Sequence, residues 1–119
     1  MKQKEYQLQK AVCKYLDLKG VLYCGSLGGQ YQVHFSQRIK AKKSGYKKGF
    51  PDLFIYEIAK IDNTIYAGLA IELKTKTGRP TAEQIEWIKQ LQKRGYMASI
   101  CKGLPETLEL IDNYIKNKI

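Results

Sequence analysis

Apolar residues recur at helical spacing near the start of the chain: Leu8, Val12, Tyr15 and Leu16 share one stripe, and Gly20 ends it. This predicts a helix over about residues 3–19. Weak alternation in VLYCGSL, residues 21–27, predicts a strand, after which Gly28 and Gly29 open a loop. FSQRIKAKK reads as a short helix from Ser36, followed by a basic loop through Gly45 and Gly49. Leu53 to Tyr56 form an apolar run that predicts a buried strand. A turn around Asp62 and Asn63 leads to a second strand run, Ile65 to Lys74, and the short link implies an antiparallel pair. Thr81 and Gln84 match a capping box opening a helix with Ile85, Ile88 and Leu91 on its buried stripe; Arg94-Gly95 ends it. Tyr96 to Cys101 read as a strand. Pro105 then opens a last helix with Leu108, Ile111 and Ile115 facing the core. The order is α-β-β-β-α-β-α, an α/β class with helices flanking a small mixed β-sheet.

A chain of 119 residues is enough for one core, so residues 1–119 are expected to form a single domain. The N-terminus lacks the apolar stretch of a signal peptide, and no run has the length of a membrane span, which predicts an intracellular protein away from membranes. Cys13, Cys24 and Cys101 make an odd set without a CxxC pair, and are read as small core hydrophobes in a reducing compartment.

Charge changes the picture. The net charge is +10, and RIKAKKSGYKK, from Arg38 to Lys48, holds six basic residues and no acid. Such a block suits a polyanion, with nucleic acid the first candidate.

The chemistry begins in GFPDLFIY, where Asp52 stands between Pro51 and the strand at the strand's mouth. An Asp there is ordinarily a turn residue bonded to nearby backbone N–H groups. In Ile71-Glu72-Leu73-Lys74, however, alternation puts Glu72 and Lys74 on one face of the neighbouring strand. Taken alone, that pattern is also an ordinary solvated ion-pair face. Together, Asp52 and Glu72 can converge at one end of the sheet. Their hard oxygens favour Mg²⁺ or Mn²⁺. Lys74 beside them can orient or help deprotonate an attacking water and offset charge in the transition state. Glu5 lies close to the azimuth of Leu8, Val12 and Leu16, so its carboxylate points inward near the helix start.

Gly49-x-Pro51-Asp52, Glu72-x-Lys74, Gly78 and Gln84, with Glu5 and Leu8-Gln9 in the first helix, together resemble the VRR-NUC (virus-type replication-repair nuclease) domain of the PD-(D/E)XK superfamily. The resemblance implies a restriction-endonuclease-like core. It implies that Asp52 and Glu72, with the Leu73 backbone carbonyl, bind the metal, that Lys74 is the catalytic lysine, and that Glu5 supports a metal or its water. Gln84 matches a glutamine near the active site of family members, and the capping-box reading of the same residue stays open beside it. One departure is Ser26-Leu27-Gly28-Gly29, where many members have an Asn-Gly pair.

The expectation is an Mg²⁺- or Mn²⁺-dependent DNA endonuclease. Arg38, Lys40, Lys42, Lys43, Lys47, Lys48, Lys76 and Arg79 would contact phosphates without reading bases. Stand-alone members resemble phage- or bacterium-encoded Holliday junction resolvases that act as homodimers, which makes four-way junctions the leading substrate and a flap or nicking endonuclease the alternative. The rival from another class is a non-catalytic basic nucleic-acid-binding module. It leaves unexplained why three acids should gather where phosphate docks, since acids repel phosphate unless a cation intervenes. His34, the only histidine, cannot supply the histidine pairs of other nuclease chemistries and reads as structural or surface, and Trp87 reads as helix-face packing.

Overall fold

The structure is a computed structural model that describes residues 2–26 and 34–119, with side chains from Lys4 onward. Helix α1 (Lys2–Lys19) ends at Gly20, whose φ of +68° is a left-handed closure. Strand β1 (Tyr23–Gly25) follows, then α2 (Phe35–Lys43) and β2 (Leu53–Ile55). The chain continues through β3 (Ala59–Ile61), β4 (Thr64–Tyr66), β5 (Leu69–Lys74), α3 (Ala82–Lys93), β6 (Met97–Lys102) and α4 (Leu104–Lys116).

Four strands form a mixed sheet in the order β1-β2-β5-β6, antiparallel except for the β5/β6 pair. A parallel pair needs a crossover, and α3 supplies it. The mixed α/β class holds, but the strand run expected from Ile65 to Lys74 is two strands. Asp62 (φ +50°) and Asn63 (φ +68°) turn a separate β3/β4 hairpin, as a two-residue loop with two left-handed residues does. The break between β4 and β5 falls at Ala67-Gly68. A β-carbon at Gly68 would lie 2.8 Å from the Phe54 ring, so the chain can pass there only as glycine.

Strand β5 is buried along its whole length. Leu69, Ile71 and Leu73 join Val12 and Leu16 of α1 and Ile111 and Tyr114 of α4 in the main core, while Ala70 packs with Ile88, Leu91 and Ala98 under α3. Helices therefore cover both faces, and any charged group on β5 is buried.

Several side chains differ from expectation. In α4 Ile111 is buried and Ile115 packs against the core as expected, but the other buried positions are Thr107 and Tyr114 in place of Leu108. The Tyr114 hydroxyl donates to the Glu57 carbonyl at 2.7 Å, which lets a tyrosine take a core position. Ile85 on α3 is exposed, and the buried residues of that helix are Ile88 and Leu91. Cys101 is buried and Cys13 half-buried, but Cys24 is exposed on β1, the edge strand among the described residues. The loop expected at Gly28 and Gly29, with Leu27 before it, lies outside the described residues. Among the described residues no helix is long and apolar enough to cross a membrane.

Gly49 fixes the approach to β2. Its φ is +91°, and a β-carbon there would lie 2.7–2.8 Å from Glu83 backbone and side-chain atoms on α3. Gly49→Ala should therefore combine left-handed strain with overpacking, costing about 2–4 kcal/mol. Thermal denaturation should show a Tm lower by roughly 10 °C.

Candidate active site

The β2/β5 register pairs Leu53 with Ile71, so Asp52, one step before β2, stands opposite Glu72. Asp52 Oδ2 accepts a hydrogen bond from the Leu73 N–H at 2.8 Å. The bond runs across the sheet, not within a turn of its own. Asp52 is thereby aimed at the end of β5.

Glu72 is 3% exposed and Lys74 7%, so the pair is no solvated ion-pair face. Lys74 Nζ lies 3.8 Å from Glu72 Oε2 and 3.9 Å from Glu5 Oε2. The first helix thus brings Glu5 to the lysine as its stripe predicts, and Lys74 stands between two acids from different elements. The other oxygen of Glu72, Oε1, is buried and has no hydrogen-bond partner among the described residues. Leaving a buried acceptor unsatisfied costs about 1–3 kcal/mol.

Burial pushes the Glu72 carboxyl up to about 9, helped by the charge of Asp52 and a hydrogen bond to it, with Lys74 opposing. Asp52 is also raised by burial, against the Leu73 N–H, the hydrogen bond with Glu72 and the Lys74 charge, which lower it. Two neighbouring buried carboxyls cannot both ionise cheaply, so the pair retains a proton. A cation between them would remove that conflict.

The donor set fits a hard divalent ion. Asp52 and Glu72 offer oxygens, one of them a buried acceptor without a partner. Among the described residues no three His, Cys, Asp or Glu side chains gather as a metal-binding group. Two carboxylates, with water and substrate phosphate completing the shell, are a usual magnesium arrangement. Glu5 is placed on Lys74, on the same side of the site as that pair.

Gln84 is in the helix cap. Its Oε1 accepts from the Thr81 N–H at 2.9 Å, and its own N–H donates to Thr81 Oγ1 at 3.2 Å. Gln84→Ala should cost about 1 kcal/mol, read as a lower Tm, whereas Gln84→Glu should keep the box and the stability. Loss of cleavage in a fully stable Gln84→Glu protein would return the residue to the active site.

Sequence reasoning quoted Gln9 but gave it no role. Its amide donates to the carbonyls of Asp52 (3.3 Å) and Ser26 (3.4 Å), tying α1 to the β1/β2 end that carries the site. Gly25 makes room, since a β-carbon there would lie 3.2 Å from the amide nitrogen. Trp87 does pack from its helix, and it also donates from Nε1 to the Lys48 carbonyl at 3.2 Å and meets Phe50 edge-on at 5.2 Å. The loop leading into Asp52 is thus held by α3.

Of the expected phosphate contacts, Arg38, Lys40, Lys42 and Lys43 lie on α2, a helix with no buried residue, and Lys47 and Lys48 follow it. Lys76 and Arg79 are exposed in the segment after β5, just past Lys74. His34 is exposed at the N-cap of α2, which places it on the surface.

The sequence profile of the VRR-NUC domain matches residues 3–105. The chain belongs to the VRR-NUC family. A solved structure titled "VRR_NUC domain protein" superposes with a TM-score of 0.73 at 30% identity, covering 94% of this chain and 88% of that one. No match exists among curated proteins. The VRR-NUC domain is of nuclease type.

Proposed function

We propose that this VRR-NUC domain is a divalent-metal-dependent DNA endonuclease, selective for branched DNA such as four-way junctions and acting as a homodimer. The observation that supports it best is Asp52 opposite Glu72, one buried carboxyl oxygen unpartnered, with Lys74 alongside. A structural ion pair has no need of an orphaned acceptor beside a second buried acid. A metal with these ligands would supply Lewis acidity toward a phosphoryl oxygen and toward water. Asp52 and Glu72 would hold it, together with the Leu73 carbonyl. Lys74 would position the water for in-line attack and stabilise charge on the phosphoryl oxygens, and Glu5 would orient Lys74. A two-fold dimer suits a junction because its scissile strands come in pairs. A host or phage cytoplasm, with its reduced thiols, suits the unpaired cysteines.

The test is cleavage of matched linear duplex, flap and four-way junction DNA with Mg²⁺, Mn²⁺ or EDTA. Metal-dependent cutting of junctions ahead of duplex is the expected result. Preference for flaps would make it a flap enzyme, and salt-sensitive binding without cutting would leave a non-catalytic module. The phosphate contacts carry a prediction of their own. Reversing Lys42 and Lys43 to glutamate should weaken binding at low salt by at least tenfold and flatten its salt dependence, whatever the sequence of the DNA.

A further inference from the structure

A cavity of about 490 Å³ opens beside the active site, and its walls are Ser26, Ala41, Ser44, Gly45, Tyr46, Lys47, Phe50 and Trp87. That volume lies in the ordinary range of small-ligand sites, about 300–1,000 Å³. Its position follows from the chain path. Phe50 precedes Asp52 by one proline, and the Ser26 N–H donates to the Asp52 carbonyl at 2.7 Å. The inner end of the cavity therefore adjoins the backbone of an acid assigned to the metal.

Its chemistry is aromatic and basic. Tyr46, Phe50 and Trp87 contribute three rings, Lys47 contributes a cation, and none of these lining residues is acidic. The rings are held in place: Trp87 is fixed by its bond to the Lys48 carbonyl and by the edge contact with Phe50, and Gly49 between them is packed on the backbone of Glu83. Ser26 and Ser44 add hydroxyls. A second cavity, of about 360 Å³ near Glu106 and Glu109, has no aromatic residue among its lining and carries the wrong charge for a polyanion.

We infer that the aromatic cavity receives one unpaired nucleobase of the substrate strand, next to the phosphate at Asp52 and Glu72. The inference rests on the nuclease reading above for the position of that phosphate. Every base offers a π-face to an aromatic ring, so stacking gives affinity without reading sequence. Lys47, with Lys42, Lys43 and Lys48 close by in sequence, suits the phosphates that flank the stacked base. A base inside an intact duplex cannot enter without being extruded, which costs a few kcal/mol. Gaps, flaps, mismatches and open junction centres present such a base at little cost. The cavity thereby turns strand-structure preference into a physical consequence of where the rings sit.

Trp87 is the only tryptophan in the chain, so its fluorescence reports on the cavity directly. The experiment titrates the full-length protein in EDTA, where no cutting occurs, with three DNAs of equal length. They are a duplex with a one-nucleotide bulge, the same duplex with an abasic bulge, and the fully paired duplex. Labelled-DNA anisotropy gives affinity alongside Trp87 emission. The bulged base should quench Trp87 and bind about tenfold more tightly than the abasic or paired DNA, in line with one base–aromatic stack. Tyr46→Ala should remove that preference while binding the paired duplex as before, and Tyr46→Phe should keep it. Equal affinity and equal quenching by all three DNAs would overturn the inference, even if junctions are cut. Base-dependent quenching with no metal-dependent cutting would uphold the cavity as a base site and sink the nuclease reading. Absence of binding to any DNA would overturn both.

Discussion

Replacing Lys74 by methionine is expected to lower strand cleavage by about 10³-fold or more while leaving DNA affinity nearly unchanged. The size follows from two contributions. Preorganised charge at the developing phosphorane is worth about 10²–10³, and a positioned group that orients or deprotonates the nucleophile about 10²–10⁴. They act through one group and will not simply multiply. Affinity should survive because Lys74 is buried, whereas the cations placed to meet a duplex are exposed on α2 and its following loop. Methionine keeps the aliphatic stem within the buried strand, so a folding failure is separable by the thermal transition. Asp52→Asn is the companion variant. Its Oδ1 can still accept from the Leu73 N–H, so the strand end should stay in register while the charge proposed to hold the metal is removed. Cleavage assays at saturating DNA, with Mg²⁺ and Mn²⁺, give the outcome. Either variant cutting within tenfold of the native rate would remove that residue from the chemistry.

Much of this site was legible in the sequence because it rests on short-range geometry. Strand alternation puts Glu72 and Lys74 on one face, and the helical angle puts Glu5 on the stripe of Val12 and Leu16. Proximity of Asp52 to Glu72 needed one further inference, an antiparallel pair, and the turn residues Asp62 and Asn63 supplied it. Even so, that turn closes its own small hairpin, and β2 finds β5 only after it. What was not legible depends on partners far along the chain. Tyr114 is buried because Glu57 offers it a carbonyl, and Gln9 has a role because Ser26 and Asp52 arrive beside it. Nothing local to residue 9 or 114 announces those contacts. The burial of Glu72 and Lys74 was hidden for the same reason: alternation predicts a shared face, but only packing on both sides of β5 decides that the face is dry.

That dryness yields the second prediction. Glu72→Gln is expected to stabilise the metal-free protein at neutral and alkaline pH while abolishing metal-induced stabilisation and cleavage. The folded carboxyl titrates near 9, far above the ordinary carboxylate range of the unfolded chain. A raised pKa means the folded state binds the extra proton. Its contribution to stability is fully present below the unfolded pKa, declines through neutral pH, and is lost as pH rises through about 9. The native metal-free protein should therefore lose stability steadily from about pH 5 to pH 9, at no more than about 1.4 kcal/mol per pH unit from this group. Glutamine carries the neutral form permanently, so the slope should flatten. The proposed metal would act on the same balance in the native protein, since a ligand that binds only the folded state with Glu72 ionised stabilises it by RT ln(1 + [L]/Kd). Native protein should gain Tm with Mg²⁺ or Mn²⁺, and gain more at pH 8 than at pH 6, because binding must displace the shared proton. Glu72→Gln should show neither gain at any pH. Thermal scans of both proteins across pH, with and without metal, test this without any cleavage assay. A metal-induced Tm shift that survives in Glu72→Gln would mean that the ion binds elsewhere and that the buried acid pair is structural.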